Sequence, residues 1–189
     1  MELPPLRIAG GLLFSGVLQI LVVIIGTSAL YPGYSVRDNF ISDLGIGPSA
    51  ALFNSSFFIL GLCLVLASYL IGFDTKFLLS PVFLGLSGFG AVMIGLFPES
   101  IPPLHLAGAF LFGAAGLLAA ISAYWLEDVP LNYFSVFVGV FSTGVAGFIA
   151  LGIDFNLGAG GMERLLFYPY LLWITTFGGY LVAGLPLKP

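Results

Sequence analysis

Apolar residues run through this chain in six long blocks, at 8–30, 51–73, 77–97, 105–126, 131–153 and 164–186, and polar residues collect in the short segments between them. A helix needs roughly 20 apolar residues to cross about 30 Å of hydrocarbon, so each block has the length of one membrane span. The pattern predicts an all-α integral membrane protein, a six-transmembrane-helix bundle that occupies 1–189 as a single transmembrane domain and leaves no room for a soluble one. Thr27-Ser28-Ala29 faintly resembles a signal-peptide cleavage site, but the length of the first run and its thin charge, Arg7 alone, fit a retained helix better.

The polar segments differ between the two faces. On the face that carries the termini the connections are short, Asp74 to Lys76 and Glu127 to Pro130, and read as tight turns without room for a site. The opposite face carries 31–50, 98–104 and 154–163, and these hold most of the residues that are hard to explain as packing. Arg7, Lys76 and Lys188 lie on the terminus face against Arg37 and Arg164 opposite. By the positive-inside rule this places both termini in the cytoplasm of a multi-pass cell-membrane protein.

Composition sharpens the class. With 59% hydrophobic residues, 7% charged and a mean hydropathy of +1.12, the chain lies far from soluble domains, which carry about 25% charged residues. The net charge is −4 and the five basic residues are scattered singly, so no patch can neutralise several phosphates at once and nucleic acid is excluded as a partner. The one cysteine, Cys63, falls mid-span; it forms no disulfide framework or CxxC pattern and reads as packing. No cofactor is required by any motif.

On the polar face, Ser35 followed three residues later by Asp38 resembles a capping box, and Gly45 with Gly47-Pro48 supplies a stop. A short interfacial helix from about Val36 to Leu44 is therefore expected between helices 1 and 2. Val36, Phe40 and Leu44 would share one face, and Asp38 with Ser42, and Asn39 with Asp43, would form i, i+4 pairs. His105 opens the fourth helix after Pro102-Pro103, with Glu99 six residues upstream. Histidine with two carboxylates has the chemistry of a divalent-metal site, with His105, Asp43 and Glu99 as candidates, or of an acid–base pair; a structural hydrogen bond from a histidine at a helix start is the plainer reading. The run Asp154-Phe-Asn-Leu-Gly-Ala-Gly-Gly-Met-Glu-Arg makes a glycine-rich approach to the sixth helix. Its free N–H groups at Gly160 and Gly161, with Arg164 as a fork, would suit a phosphate. The plainer alternative is a latch in which Arg164 pairs with Asp38, Asp43, Glu99 or Asp154, and Glu163 satisfies the helix dipole.

Inside the spans, small residues recur at Ser87, Ala91, Gly95 and at Gly139, Thr143, Gly147, so helices three and five should pack closely, and such faces also permit an oligomer. Gln19, Asn54 and Trp173 read as interhelical contacts. Faint echoes between the two halves of the chain would, if real, make helices one to three and four to six inverted copies, a transporter pattern.

Tyr31-Pro-Gly-Tyr-Ser with Asn39-Phe-Ile-Ser-Asp-Leu-Gly, then Gly95-Leu-Phe-Pro-Glu before His105-Leu-Ala-Gly-Ala, then Gly161-Met-Glu-Arg-Leu, resemble the prokaryotic six-helix family called domain of unknown function 998. The chain is also distantly similar to the FRAG1/DRAM/Sfk1 group. The resemblance implies a six-helix layout without an assigned activity, and its recurrent polar positions would fall on Asn39, Ser42, Asp43, Glu99, His105, Glu163 and Arg164.

Three functions stay open on these residues. The leading one is binding of a lipid headgroup or small amphiphile, with membrane lipids as partners, in a polar mouth on the non-cytoplasmic side; Arg164, Glu163, Asp38, Asn39, Asp154, Gly160 and Gly161 would form it. The second is an intramembrane lipid-modifying or hydrolytic enzyme using His105 with Asp43, Glu99 and Ser42. The third is a small transporter built on the inverted repeat.

Overall fold

The computed structural model describes residues 4–188 and contains six long helices: α1 Pro5–Leu30, α2 Ala50–Asp74, α3 Leu79–Leu96, α4 Pro102–Ser122, α5 Leu131–Ala150 and α6 Gly158–Val182. Each is long and apolar enough to cross a membrane, and no strand occurs among the described residues. Short 3-10 helices lie at Ser42–Gly45 and, extending α4, at Ala123–Trp125. The side chain of Asp74, in the predicted inner turn, lies outside the described residues.

Local chemistry explains the ends. Prolines sit in the first turns of α1 and α4, where their missing N–H is no loss. The chain leaves α5 and α6 through Gly152 and Gly184, at φ 71° and 74°. There Ile153 N–H reaches the Phe148 carbonyl at 2.9 Å and Leu185 N–H reaches that of Tyr180 at 3.4 Å. That crossed pattern closes the last carbonyls and needs a residue tolerant of the left-handed region.

The helices pack in chain order, α1 on α2, α2 on α3, and so on to α6, which returns to α1 and closes the ring; α4 also touches α6 across it. Water does not drive helices together inside a bilayer, so close packing of small residues carries the association. A Cβ at Gly90 would lie 2.3 Å from the Phe112 nitrogen, and one at Gly10 would lie 2.5 Å from the Gly178 carbonyl. On α3, Ser87 and Ala91 are fully buried and Gly95 lies against Asn54 and Phe58, so that stripe is consumed inside the ring. On α5, only Gly139 meets a neighbour, Ile121 and the Leu117 carbonyl, while Gly147 faces open space and Thr143 is exposed. Two of the three positions of the α5 stripe are thus left outside the packing, and α5 is the least buried of the six spans.

Polar groups in the spans are tied to neighbouring helices. Gln19 donates to the Ser56 carbonyl at 2.9 Å and accepts from the Ser56 hydroxyl, and Asn54 donates to the Gly45 carbonyl at 2.9 Å. Tyr170 and Ser87 share a hydrogen bond of 2.8 Å deep in the bundle.

Two sequence expectations change. The sixth helix begins at Gly158 rather than 164, so the expected glycine-rich loop is largely the first turn of α6. The helix expected over Val36–Leu44 does not propagate. Its cap forms, with Asp38 N–H donating to Ser35 Oγ at 3.2 Å and Asn39 N–H to the Ser35 carbonyl at 2.9 Å, but the chain then turns and regains helix only as the 3-10 turn at Ser42–Gly45. Val36 and Phe40 are exposed while Ile41 and Leu44 are buried, so the expected shared face is not present. The carbonyls that would have continued the helix are bonded to α6 instead.

A polar cluster roofing an apolar cavity

On the face opposite the termini, residues 34–43 are fastened to the start of α6. Gly160 and Gly161 donate their backbone N–H groups to the Arg37 carbonyl at 2.9 and 3.2 Å. A Cβ at Gly160 would lie 2.0 Å from the Asn39 carbonyl, so only glycine lets the two backbones approach this closely. One turn further on, Arg164 is 7% exposed and its guanidinium spans the same segment. One terminal nitrogen donates to the carbonyls of Val36 at 2.9 Å, Asn39 at 3.0 Å and Gly160 at 2.8 Å; the other donates to the Tyr34 hydroxyl at 2.5 Å. The Tyr34 hydroxyl in turn donates to the Phe40 carbonyl at 2.8 Å. Burial raises the Tyr34 hydroxyl above its ordinary range, and the neighbouring Arg164 charge opposes that rise. Glu163 completes the fastening by accepting the Ile41 N–H.

Arg164 was expected either to hold a phosphate or to pair with Asp38, Asp43, Glu99 or Asp154. Among the described residues it forms no ion pair with those carboxylates: the Val36, Asn39 and Gly160 carbonyls and the Tyr34 hydroxyl accept from it, and the Arg37 carbonyl takes the Gly160 and Gly161 amides.

The remaining polar residues converge beneath this latch. Asn39 accepts the Ser35 N–H at 3.0 Å and donates to Asp43 Oδ2 at 2.8 Å, and the same Asp43 oxygen accepts the Phe40 N–H at 3.0 Å. Glu99, from the α3–α4 connection, lies beside Asp43, Ser42 and His105. Burial, then the Asp43 charge, pushes the Glu99 carboxyl above its usual range. Its Oε2 is enclosed without a hydrogen-bond partner. His105 is 6% exposed and its Nδ1 lies 3.0 Å from the Phe97 carbonyl, so Nδ1 carries the proton and Nε2 is left as the ring's other polar atom.

Ser42, His105 and Glu163 form the polar lining of a cavity of about 40 Å³, room for roughly three waters. Its walls are apolar: Ile24 from α1, Phe53 and Phe57 from α2, Ile94 from α3, Phe112 from α4, and Phe167 and Leu171 from α6. The cavity is drawn from five of the six spans and roofed by the latched segment. Two expected site residues stay apart from both the latch and the cluster. Asp38 is exposed beside Arg37, at 3.9 Å, and Asp154 turns back to accept the Asn156 N–H at 3.1 Å. His105, Asp43 and Glu99 share one locality, but no group of three or more His, Cys, Asp or Glu side chains among the described residues is arranged to hold a metal ion.

A second polar cluster lies on the terminus face, where the sequence predicts only a tight turn. Glu127 is 0% exposed; it accepts from Ser135 Oγ, which in turn accepts the Trp173 indole N–H at 2.7 Å. Glu127 Oε1 has no partner, and burial pushes the carboxyl up to about 7. The signal was present as Ser135 and Trp173 on predicted spans, but nothing in their spacing connects them to residue 127.

Fold and site together define a multi-pass membrane helix bundle with a polar-roofed cavity at one end. The chain belongs to the family described as protein of unknown function DUF998, which matches residues 14–180. Comparison with curated proteins and with solved structures gave no match.

Proposed function

We propose that this protein binds a small membrane amphiphile whose head is uncharged or cationic, held under the latched 34–43 segment on the non-cytoplasmic side. The observation that carries this reading is the cavity itself, with hydrogen-bonding groups at one end and aromatic and aliphatic walls below. A few polar groups beside apolar walls orient a small head, and the tail would lie outside this cavity. Glu163 lines the cavity and the Asp43 and Glu99 carboxyl groups lie beside it, all of them acceptors, while Arg164 is already engaged, so an amine or hydroxyl head, which can donate, fits where a phosphate head does not. The enclosed Glu99 Oε2 is an acceptor in want of a donor.

The test compares a long-chain primary amine, the matching alcohol and the matching fatty acid as stabilisers of the detergent-solubilised protein. The amine and the alcohol should raise the melting temperature more than the acid, and Glu99→Gln with Ser42→Ala should abolish the difference. A fatty acid that stabilises as well as the amine sinks the proposal.

One observation favours an enzymatic reading as the second. Ser42, Asp43, Glu99 and His105 lie together, and the Phe97 carbonyl holds the histidine in the tautomer whose Nε2 accepts a proton. Lipid turnover in membranes that disappears in a stably folded His105→Gln variant would support it; unchanged turnover would remove it.

A further inference from the structure

Three spaces meet around a single turn of α6. The polar-roofed cavity shares Glu163 with an outer groove of about 430 Å³, whose lining includes Phe40, Ile149, Asp154 and Met162. That groove shares Leu166 with a cleft of about 410 Å³ between α4, α5 and α6, lined by Gly113, Leu117, Ile121, Thr143 and Ala146. The cleft in turn shares Ala109 and Phe167 with the cavity. Glu163, Leu166 and Phe167 are therefore the partitions between the three, spaced i, i+3, i+4 on one helix face.

The cleft follows from the loose seating of α5. The α5 residues that line it, Thr143 and Ala146, are short, and Thr143 turns its hydroxyl back to the Gly139 carbonyl at 2.7 Å, so α5 brings little bulk to this side. The cleft lies within the membrane-spanning parts of α4, α5 and α6, where the surrounding medium is hydrocarbon rather than water. At its Leu166 end it opens to the groove that carries Asp154 and Glu163, an acidic border without a basic lining residue.

We propose that the cleft holds a single acyl chain of the bound amphiphile, that the head enters from the Asp154–Glu163 groove, and that Phe167 is the partition the ligand displaces to reach the His105 cavity. This rests on the amphiphile-binding reading and adds the route and the chain site. Charge complementarity selects the head, an amine or hydroxyl, and continuity with the polar cavity selects an amphiphile over a helix of a second copy, which has no head to place there. The Phe167 ring forms that partition: it stacks on Phe112 with centroids 5.6 Å apart and lies against Gly113 of α4, whose Cβ would be 3.5 Å from the ring.

The experiment places the full chain in phosphatidylcholine vesicles with a trace of a long-chain amine bearing a photoreactive group on its chain, and maps the labelled residues. Label should concentrate on Gly113 to Ile121 and on Thr143 to Ala146. It should fall about tenfold there in Thr143→Phe and in Ala146→Phe, while Val22→Phe, on the lipid-facing side of α1, leaves it unchanged. Label spread evenly round the bundle, or unchanged by both cleft variants, overturns the chain site; so does replacement of label in the cleft by cross-links between two copies. If the amine stabilises the protein yet does not label the cleft, the route fails and the head site stands. If the matching fatty acid labels the cleft equally and Glu99→Gln has no effect, the head reading fails and the chain site stands.

Discussion

Arg164 donates to the Tyr34 hydroxyl at 2.5 Å while the same ring lies 5.6 Å from its guanidinium carbon, so one aromatic side chain both accepts from the cation and faces it. The pair joins residues 130 apart in sequence and anchors a segment that has little helix of its own. Arginine suits this position because its planar fork reaches several acceptors at once, and lysine cannot reproduce that geometry.

Arg164→Lys should therefore lower stability by about 2 kcal/mol or more, since hydrogen bonds to a charged group contribute about 1.5–3 kcal/mol each and several are lost. Tyr34→Phe should cost less, and the double variant should cost less than the sum, because both act on one network. Denaturation in detergent with a double-mutant cycle checks this; strict additivity would show that the two residues act independently.

Gly160→Ala should open the latch. The added methyl would lie 2.0 Å from the Asn39 carbonyl, and the contact is backbone on both sides, so neither can swing away. The cost should be about 1–3 kcal/mol, and amide exchange over 34–43 should accelerate far more than exchange in α2 or α3. Equal exchange in variant and wild type would mean the segment holds without α6.

Asn39→Asp should destabilise the protein at neutral pH and much less in acid. The change removes the donor to Asp43 and places a further carboxylate beside Asp43, with Glu99 and Glu163 nearby. Like charges raise the folded-state value of the new acid, so the penalty is present when it is ionised and disappears as pH falls and it is protonated. Melting temperatures measured for both proteins across the acid range should converge at low pH; a constant gap would remove the charge argument.

Glu127 gives the protein a second pH dependence. Its carboxyl sits at about 7 in the folded protein against 4.5 for an exposed glutamate, so the folded state binds the proton more tightly. Stability is then greatest below about 4.5 and declines as pH rises to about 7, by about 3 kcal/mol across the window. Glu127→Gln should keep the hydrogen bond from Ser135 and flatten this part of the profile. A variant that retains the wild-type slope would assign the dependence to another group.

The six spans could be read from the chain because apolar length is a one-dimensional property: each run must outlast the hydrocarbon, whatever it packs against. Ser42, Asp43, Glu99, His105 and Glu163 could be picked out for a related reason, since polar residues at one membrane edge have no lipid-facing explanation. The helix expected over Val36–Leu44 failed because a cap and a periodic face describe only local energies. Here Arg164 and the α6 amides offer the carbonyls of Val36, Arg37 and Asn39 partners from another part of the chain. Glu127 was passed over because a four-residue turn looks too small to bury a charge, and the fold buries it using Ser135 and Trp173.

What the amino-acid order determined alone is the class, the number of crossings and the face on which polar chemistry gathers, because the bilayer imposes those terms on any chain. What only the tertiary structure decided is how that chemistry is spent. Arg164 and the Gly160 and Gly161 amides are engaged by the 34–39 segment, while Ser42, His105 and Glu163 are left to line a cavity that five helices enclose. Hydrogen-bond partners more than 100 residues apart are set by how the ring closes, and no local pattern records that closure.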